Sequence, residues 1–136
     1  MRERENTTAR PQGRRRRRDA GQVAIEYVGF IPLLLIVGLL AIQLGIAAYT
    51  ANQAGTAARV AARTASQDWL DRELTPDAAA RSSISRWLRK SDTYDSEVHY
   101  NGRDVTYTVK LKIPSVIPGM EGRWGKATRS STMPVN

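Results

Sequence analysis

Between Val28 and Ala48 the chain runs VGFIPLLLIVGLLAIQLGIAA, and Gln43 is the one polar side chain in those 21 residues. At 1.5 Å per residue such a helix is about 30 Å long, the thickness of a bilayer's hydrocarbon core. Burying it in a soluble fold would take protein on every side, and 87 residues follow Tyr49, too few to surround it and still build a surface. The run therefore predicts a transmembrane helix over residues 22–49. Pro32 falls in its first turns, where it bends a helix rather than ending it.

The flanks orient this span. The formal net charge is +8, and residues 1–21 hold eight arginines against Glu3, Glu5 and Asp19, a net of +5. In residues 49–68 the basic residues are Arg59 and Arg63 alone. Positive charge stays on the cytoplasmic side, so the N-terminus is expected in the cytoplasm and the C-terminal part outside. The arginine run Arg14, Arg15, Arg16, Arg17, Arg18 belongs to a basic, disordered leader over residues 1–21 and acts as the topology signal. Its expected partner is anionic lipid at the membrane surface, not nucleic acid, because the span begins a few residues downstream. A cleaved secretory signal also begins with basic residues, but its apolar region is about 7–15 residues long. No A-x-A pattern occurs between Ala41 and Ala65.

Chemistry-bearing residues are few. There is no cysteine, and His99 is the single histidine, so thiolate nucleophiles, disulfides and multi-histidine metal sites are excluded within one chain. No enzyme activity and no cofactor is expected.

Beyond the span, residues 50–74 continue a helical pattern. Ala54, Ala57, Ala58, Ala61, Ala62, Ala65 and Trp69 form one stripe. Small residues at spacing four, as in Ala47/Ala51/Gly55, also let helices approach closely. The stripe fits either a partner helix or the chain's own outer domain. That domain is expected over residues 75–136. LTPDAAARSSISRWLRK signals a second helix, with Thr75 as N-cap, Pro76 at the first helical position and Arg89 and Lys90 at the end. Ala80, Ile84, Trp87 and Leu88 form its apolar face.

A hairpin follows. Asn101-Gly102 is the favoured two-residue turn, and centring on it pairs Tyr100 with Arg103, Val98 with Val105, Ser96 with Tyr107 and Tyr94 with Val109. His99 then opposes Asp104, a surface ion pair rather than a catalytic one. Val105 to Ile113 alternates apolar with Thr and Lys, the clearest strand pattern in the chain, and Pro114 ends it. PSVIPGMEGRWG reads as a long loop and residues 126–135 as a third strand. The fold class is thus an α+β membrane protein: a long N-terminal transmembrane helix, a short second helix and a small antiparallel sheet of about three strands. Asp68, Asp71 and Glu73 read as a solvated face around Arg72.

DAGQVAIEYVGF, Asp19 to Phe30, carries the sharpest functional signal. Glu26 lies at the edge of the span, where an ionisable group marks a functional site. The bland account places Glu26 in the first turn of a helix beginning near Gln22, where it complements the macrodipole. Gly21, QVAI, Glu26-Tyr27 and the apolar run resemble the processing site of type IV pilin-like proteins of the tight-adherence (Flp pilus) class. With AAYTANQAGTAARVAARTAS and the small outer domain, the chain resembles the TadE/TadF-like minor pilins. The resemblance is strong over about Arg14 to Ser66. It implies cleavage by a prepilin peptidase between Gly21 and Gln22, leaving Glu26 fifth in the mature chain. It further implies that Glu26, with Tyr27, serves subunit assembly by facing the free amine of a neighbouring subunit. The expected partners are the peptidase, other pilin-like subunits and membrane assembly proteins, with the protein in the cell membrane or associated with the pilus. The alternative is an uncleaved single-pass protein whose outer domain binds a partner.

Overall fold

The computed structural model describes residues 16–67, 73–90 and 92–135, with backbone alone at residues 16–20, 22 and 23. Arg14, Arg15, Asp68, Trp69 and Asp71 lie outside the described residues. The first element, α1, is a helix of 51 residues, Arg16–Ser66. Pro32 sits inside it without ending it. The chain divides into two compact units at Gly38/Leu39.

In the first unit every side chain described from Ala24 to Gly38 is exposed. From Val28 to Gly38 this helix is apolar all round and uncovered, which suits lipid better than water. By length and composition this helix is able to cross a membrane, and 6% of its most apolar 18-residue window is buried. The core helix of a soluble protein would be mostly buried.

The second unit is an α+β domain. Its part of α1 stays exposed through Ile42, and burial starts at Gln43. From there Gln43, Thr50, Ala54, Ala57, Ala58, Ala61, Ala62 and Ala65 line one buried stripe, at the three- and four-residue spacing of a helix face. The expected alanine stripe is therefore core, packed with Ile84, Leu88, Tyr94, Tyr107, Val109 and Leu111. The helix supplies methyl groups and the opposing elements supply bulk.

Helix α2 spans Pro76–Ser82. Thr75 caps it, accepting from the Ala78 N–H at 3.2 Å, as its sequence predicts. It is shorter than the sequence suggests, and Arg86–Leu88 forms a separate 3₁₀ turn. The hydroxyls of Ser82 and Ser83 donate to the carbonyls of Ala79 and Ala80. Such side-chain bonds compete with the helix ladder and end it. Arg89 then donates to the freed Ile84 carbonyl at 3.0 Å.

Three strands, β1 (Tyr94–Tyr100), β2 (Asp104–Lys112) and β3 (Lys126–Pro134), form an antiparallel meander in chain order. Val105, Tyr107, Val109 and Leu111 are buried. On the other face Thr106 meets Thr132 at 2.8 Å and Thr108 meets Ser130 at 2.9 Å. The hairpin register differs from the expected one by two residues: Tyr100 opposes Val105, Val98 opposes Tyr107 and Tyr94 opposes Leu111. A two-residue turn of the favoured type needs positive φ at both central residues, whereas Gly102 has φ +67 and no non-glycine residue has positive φ. The chain instead turns tightly about Gly102, with Arg103 N–H donating to the Asn101 carbonyl at 2.7 Å, a γ-type turn. Because the slip is two residues and not one, every side chain keeps its face. His99 now opposes Thr106 instead of Asp104, and the ion pair on that face joins Lys110 to Glu97.

Candidate functional site

The residues of the expected processing site lie on α1. Gly21 is exposed, and a Cβ built there meets nothing within 4 Å. Gln22 is helical, as are Arg16, Arg17 and Arg18 in the first turn. Glu26 and Tyr27 are exposed, Tyr27 by 64%. Among the described residues Glu26 makes no ion pair. The macrodipole account of this glutamate does not hold in the intact chain. Helix α1 begins at Arg16, more than two turns before Glu26, whereas the dipole acts within the first turn.

A second group of residues lies where α1 first becomes covered. Gln43 Nε2 donates to the Pro114 carbonyl at 2.9 Å, and Val116 N–H donates to Gln43 Oε1 at 2.9 Å. The primary amide thus engages two backbone groups of the β2–β3 loop as a neighbouring strand would. Sequence reading marks Gln43 as the polar exception in the span and misses this role. The available signal was the isolated amide itself, since a buried polar side chain is nearly always partnered. Further along, Tyr49 stacks on Trp87 with ring centroids 5.9 Å apart. Gln53 Oε1 accepts the Ser85 N–H at 3.1 Å. These contacts hold the 3₁₀ turn against α1.

The polar cluster most like a chemical site joins α2 to the sheet. Asp77 accepts from Arg81 Nε at 2.8 Å and from the Ser96 hydroxyl at 3.0 Å. The Arg81 guanidinium carbon lies 4.2 Å from the centre of the Tyr94 ring, a cation–π contact. Burial alone would raise the Asp77 carboxyl; hydrogen bonds from Arg81 and neighbouring hydroxyls, with the Arg81 charge, overrule it and hold the group below its usual range. Burial pushes the Tyr94 and Tyr107 hydroxyls upward. Asp77, Tyr94 and Tyr107 are thereby each held in the resting form near neutral pH, the reverse of what proton transfer requires. The cluster clamps α2 to the sheet. At the exposed sheet face, the Glu97 hydrogen bond raises Lys110. Among the described residues no group of three acids or histidines is placed to hold a metal ion.

The first unit therefore offers an uncovered apolar helix surface with Glu26 as its exposed acid, and the second a small α+β domain. Comparison with known proteins bears on that helix. No curated protein and no solved structure matches the chain. A family model described as "TadE-like protein" matches residues 21–63, beginning at Gly21, covering Gln22, Glu26 and Tyr27, and including most of the alanine stripe. Over this segment the sequence resemblance is borne out: residues 21–63 are similar to the TadE-like family.

Proposed function

We propose that the protein is a pilin-like minor subunit or assembly protein of a Flp-type pilus or related secretion apparatus, cleaved after Gly21 and assembled through α1. One observation carries the reading. Glu26 stands on a helix surface exposed from Ala24 to Ile42, within the TadE-like segment. The family relates the chain to the Tad pilus in general, and a long apolar helix is consistent with a membrane anchor. The specific steps follow from chemistry.

Arg14 to Arg18 hold the leader on the cytoplasmic side until cleavage, with the outer domain across the membrane. Gly21 lies within α1, and a peptidase needs its substrate locally unwound. Glycine weakens a helix by about 1 kcal/mol relative to alanine, which favours opening at that bond. Cleavage by an aspartic prepilin peptidase would create an amine on Gln22, four residues before Glu26. In a bundle of such helices, a neighbour's amine and Glu26 offset each other's desolvation, while either alone is costly. The pair would fix the register of one subunit against the next. Neither the chain's chemistry nor this assembly role calls for catalysis by the protein itself.

The continuity of α1 through Gly21 and Gln22 favours the second reading, an uncleaved single-pass anchor whose outer domain binds a partner. Intact-mass measurement of the membrane-extracted protein separates them. A chain starting at Gln22 supports processing, and one starting at Met1 leaves the anchor alone.

A further inference from the structure

The loop between β2 and β3 has an unusual attachment. Pro114 and Val116 are bound to Gln43, the residue at which protein first covers α1. If the span ended at Ala48, Gln43 would lie about 7.5 Å below its outer edge. The loop would be held at that same depth. Counting from Ala24 instead, the 20 residues to Gln43 already give about 30 Å, enough to cross the hydrocarbon.

Loop backbone entering a bilayer must satisfy its own polar groups, and in this loop the N–H groups of Val116, Ile117, Gly119 and Met120 and the carbonyls of Pro114, Ile117 and Met120 are bonded within the protein. Ile113 N–H donates to the Gly125 carbonyl at 3.1 Å, and Met120 N–H to the Ile117 carbonyl at 3.2 Å. Ile117 N–H donates to the Ser115 hydroxyl at 3.1 Å, and Gly119 N–H to Glu121 at 3.2 Å. Val116 N–H is taken by Gln43, while Pro114 and Pro118 have no N–H. Trp124 Nε1 donates to the Ser115 hydroxyl at 3.2 Å, so the indole's polar edge is also satisfied. Two apolar side chains stay out of the core, Val116 at 37% exposed and Pro118 exposed, while Ile117 and Met120 are half-buried. Lys112, Arg123 and Lys126 at the loop's base are exposed, where lipid phosphates would receive them.

We propose that residues 114–120 form a membrane-inserted loop. Val116, Ile117 and Pro118 enter the outer headgroup–acyl boundary beside α1, Trp124 lies at the interface as an aromatic anchor, and Gln43 marks the depth of that boundary. The partner is the lipid bilayer itself. The proposal rests on the reading of α1 as a membrane span, and it moves the outer end of that span from Ala48 to about Gln43.

The natural absence of cysteine allows single-site labelling of the full chain. Val116→Cys, Leu35→Cys and Thr128→Cys, each carrying a fluorescent label, are placed in phosphatidylcholine–phosphatidylglycerol vesicles. Quenching by acyl-brominated lipid is compared with quenching by iodide. Leu35 is an exposed residue of the apolar helix and Thr128 an exposed residue of β3. The expected result is that the Val116 label follows Leu35, quenched by brominated lipid and shielded several-fold from iodide, while Thr128 shows the reverse. If Val116 follows Thr128 while Leu35 reports lipid, the loop proposal is overturned and the span stands. If Leu35 is itself open to iodide, the span fails and the loop proposal with it.

Discussion

Gln43 and Pro114 are 71 residues apart in sequence and are joined by a hydrogen bond of 2.9 Å from a primary amide to a main-chain carbonyl. Among the hydrogen bonds of the described residues, its companion from Val116 N–H to Gln43 spans a similar distance, and together they hold the loop where α1 first becomes buried.

Replacing that amide tests its weight. Gln43→Leu leaves the Pro114 carbonyl and the Val116 N–H without partners, a loss of about 1–3 kcal/mol. Thermal unfolding in detergent should shift down by roughly 4–8 °C for each kcal/mol in a domain of this size. Gln43→Asn, one methylene shorter, should recover part of it. An unchanged midpoint for Gln43→Leu would mean that the loop is held by packing alone.

The Asp77 clamp predicts a response to acid. Its carboxyl titrates below the ordinary value of 3.8 in the folded chain, so it contributes stability above that value that is lost as pH falls through the folded pKa. Asp77 and Arg81 are both more than a third exposed in their side chains, which limits the pair to about 1 kcal/mol or less. Asp77→Asn should lower the unfolding midpoint modestly at pH 7 and flatten its decline below about pH 4. Parallel acid profiles for the two proteins would count against the clamp.

The two core tyrosines should respond oppositely to loss of their hydroxyls. Tyr94 OH is buried without a hydrogen-bond partner, whereas Tyr107 OH lies 3.3 Å from Ser96 Oγ and 3.4 Å from Asp77 Oδ1. Tyr94→Phe should be neutral or stabilising, and Tyr107→Phe should cost about 0.5–1.5 kcal/mol. Both hydroxyls are raised above 10.0 by burial, so the folded state favours their neutral forms and stability falls as pH rises beyond that value. Denaturant titrations at pH 7 and pH 11 check both statements.

If Glu26 serves assembly as proposed, Glu26→Ala should leave cleavage intact and reduce incorporation into filaments by about tenfold or more, the equivalent of about 1.4 kcal/mol lost from an apposed charge pair. Glu26→Asp should retain part of the function. Immunoblots of sheared filaments against membrane fractions give the ratio, and wild-type incorporation of Glu26→Ala would remove the charge pair from the account.

What could be read from the sequence was whatever depends on periodicity and local chemistry. The apolar helix, the alanine stripe, the Thr75 cap, the buried face of β2 and the third strand all follow from side-chain spacing. Features set by competition between local and distant partners were harder to read. Asn101-Gly102 predicts the hairpin's place and the parity of its faces, yet the turn is closed by Gly102 alone, and only backbone geometry reveals the two-residue slip. The end of α2 is decided by Ser82 and Ser83 hydroxyls returning to the preceding turn, which composition does not distinguish from a solvated helix surface. Glu26 and Gly21 were conspicuous as motif residues. Gln43 was conspicuous too, but its partner is a loop 71 residues away, a distance no local pattern spans.

The alanine stripe of α1 has a consequence for how the interior tolerates change. An alanine methyl has no rotamers to lose, so this half of the core is ordered at almost no side-chain entropy. It also holds little volume to remove. Ala54, Ala57, Ala58, Ala61 and Ala62 are all fully buried, and each added methylene would push directly on Tyr94, Tyr107 or their neighbours. Most protein interiors are most vulnerable to truncation. This one is guarded against enlargement, with the helix acting as a smooth wall whose permitted residues are selected by size.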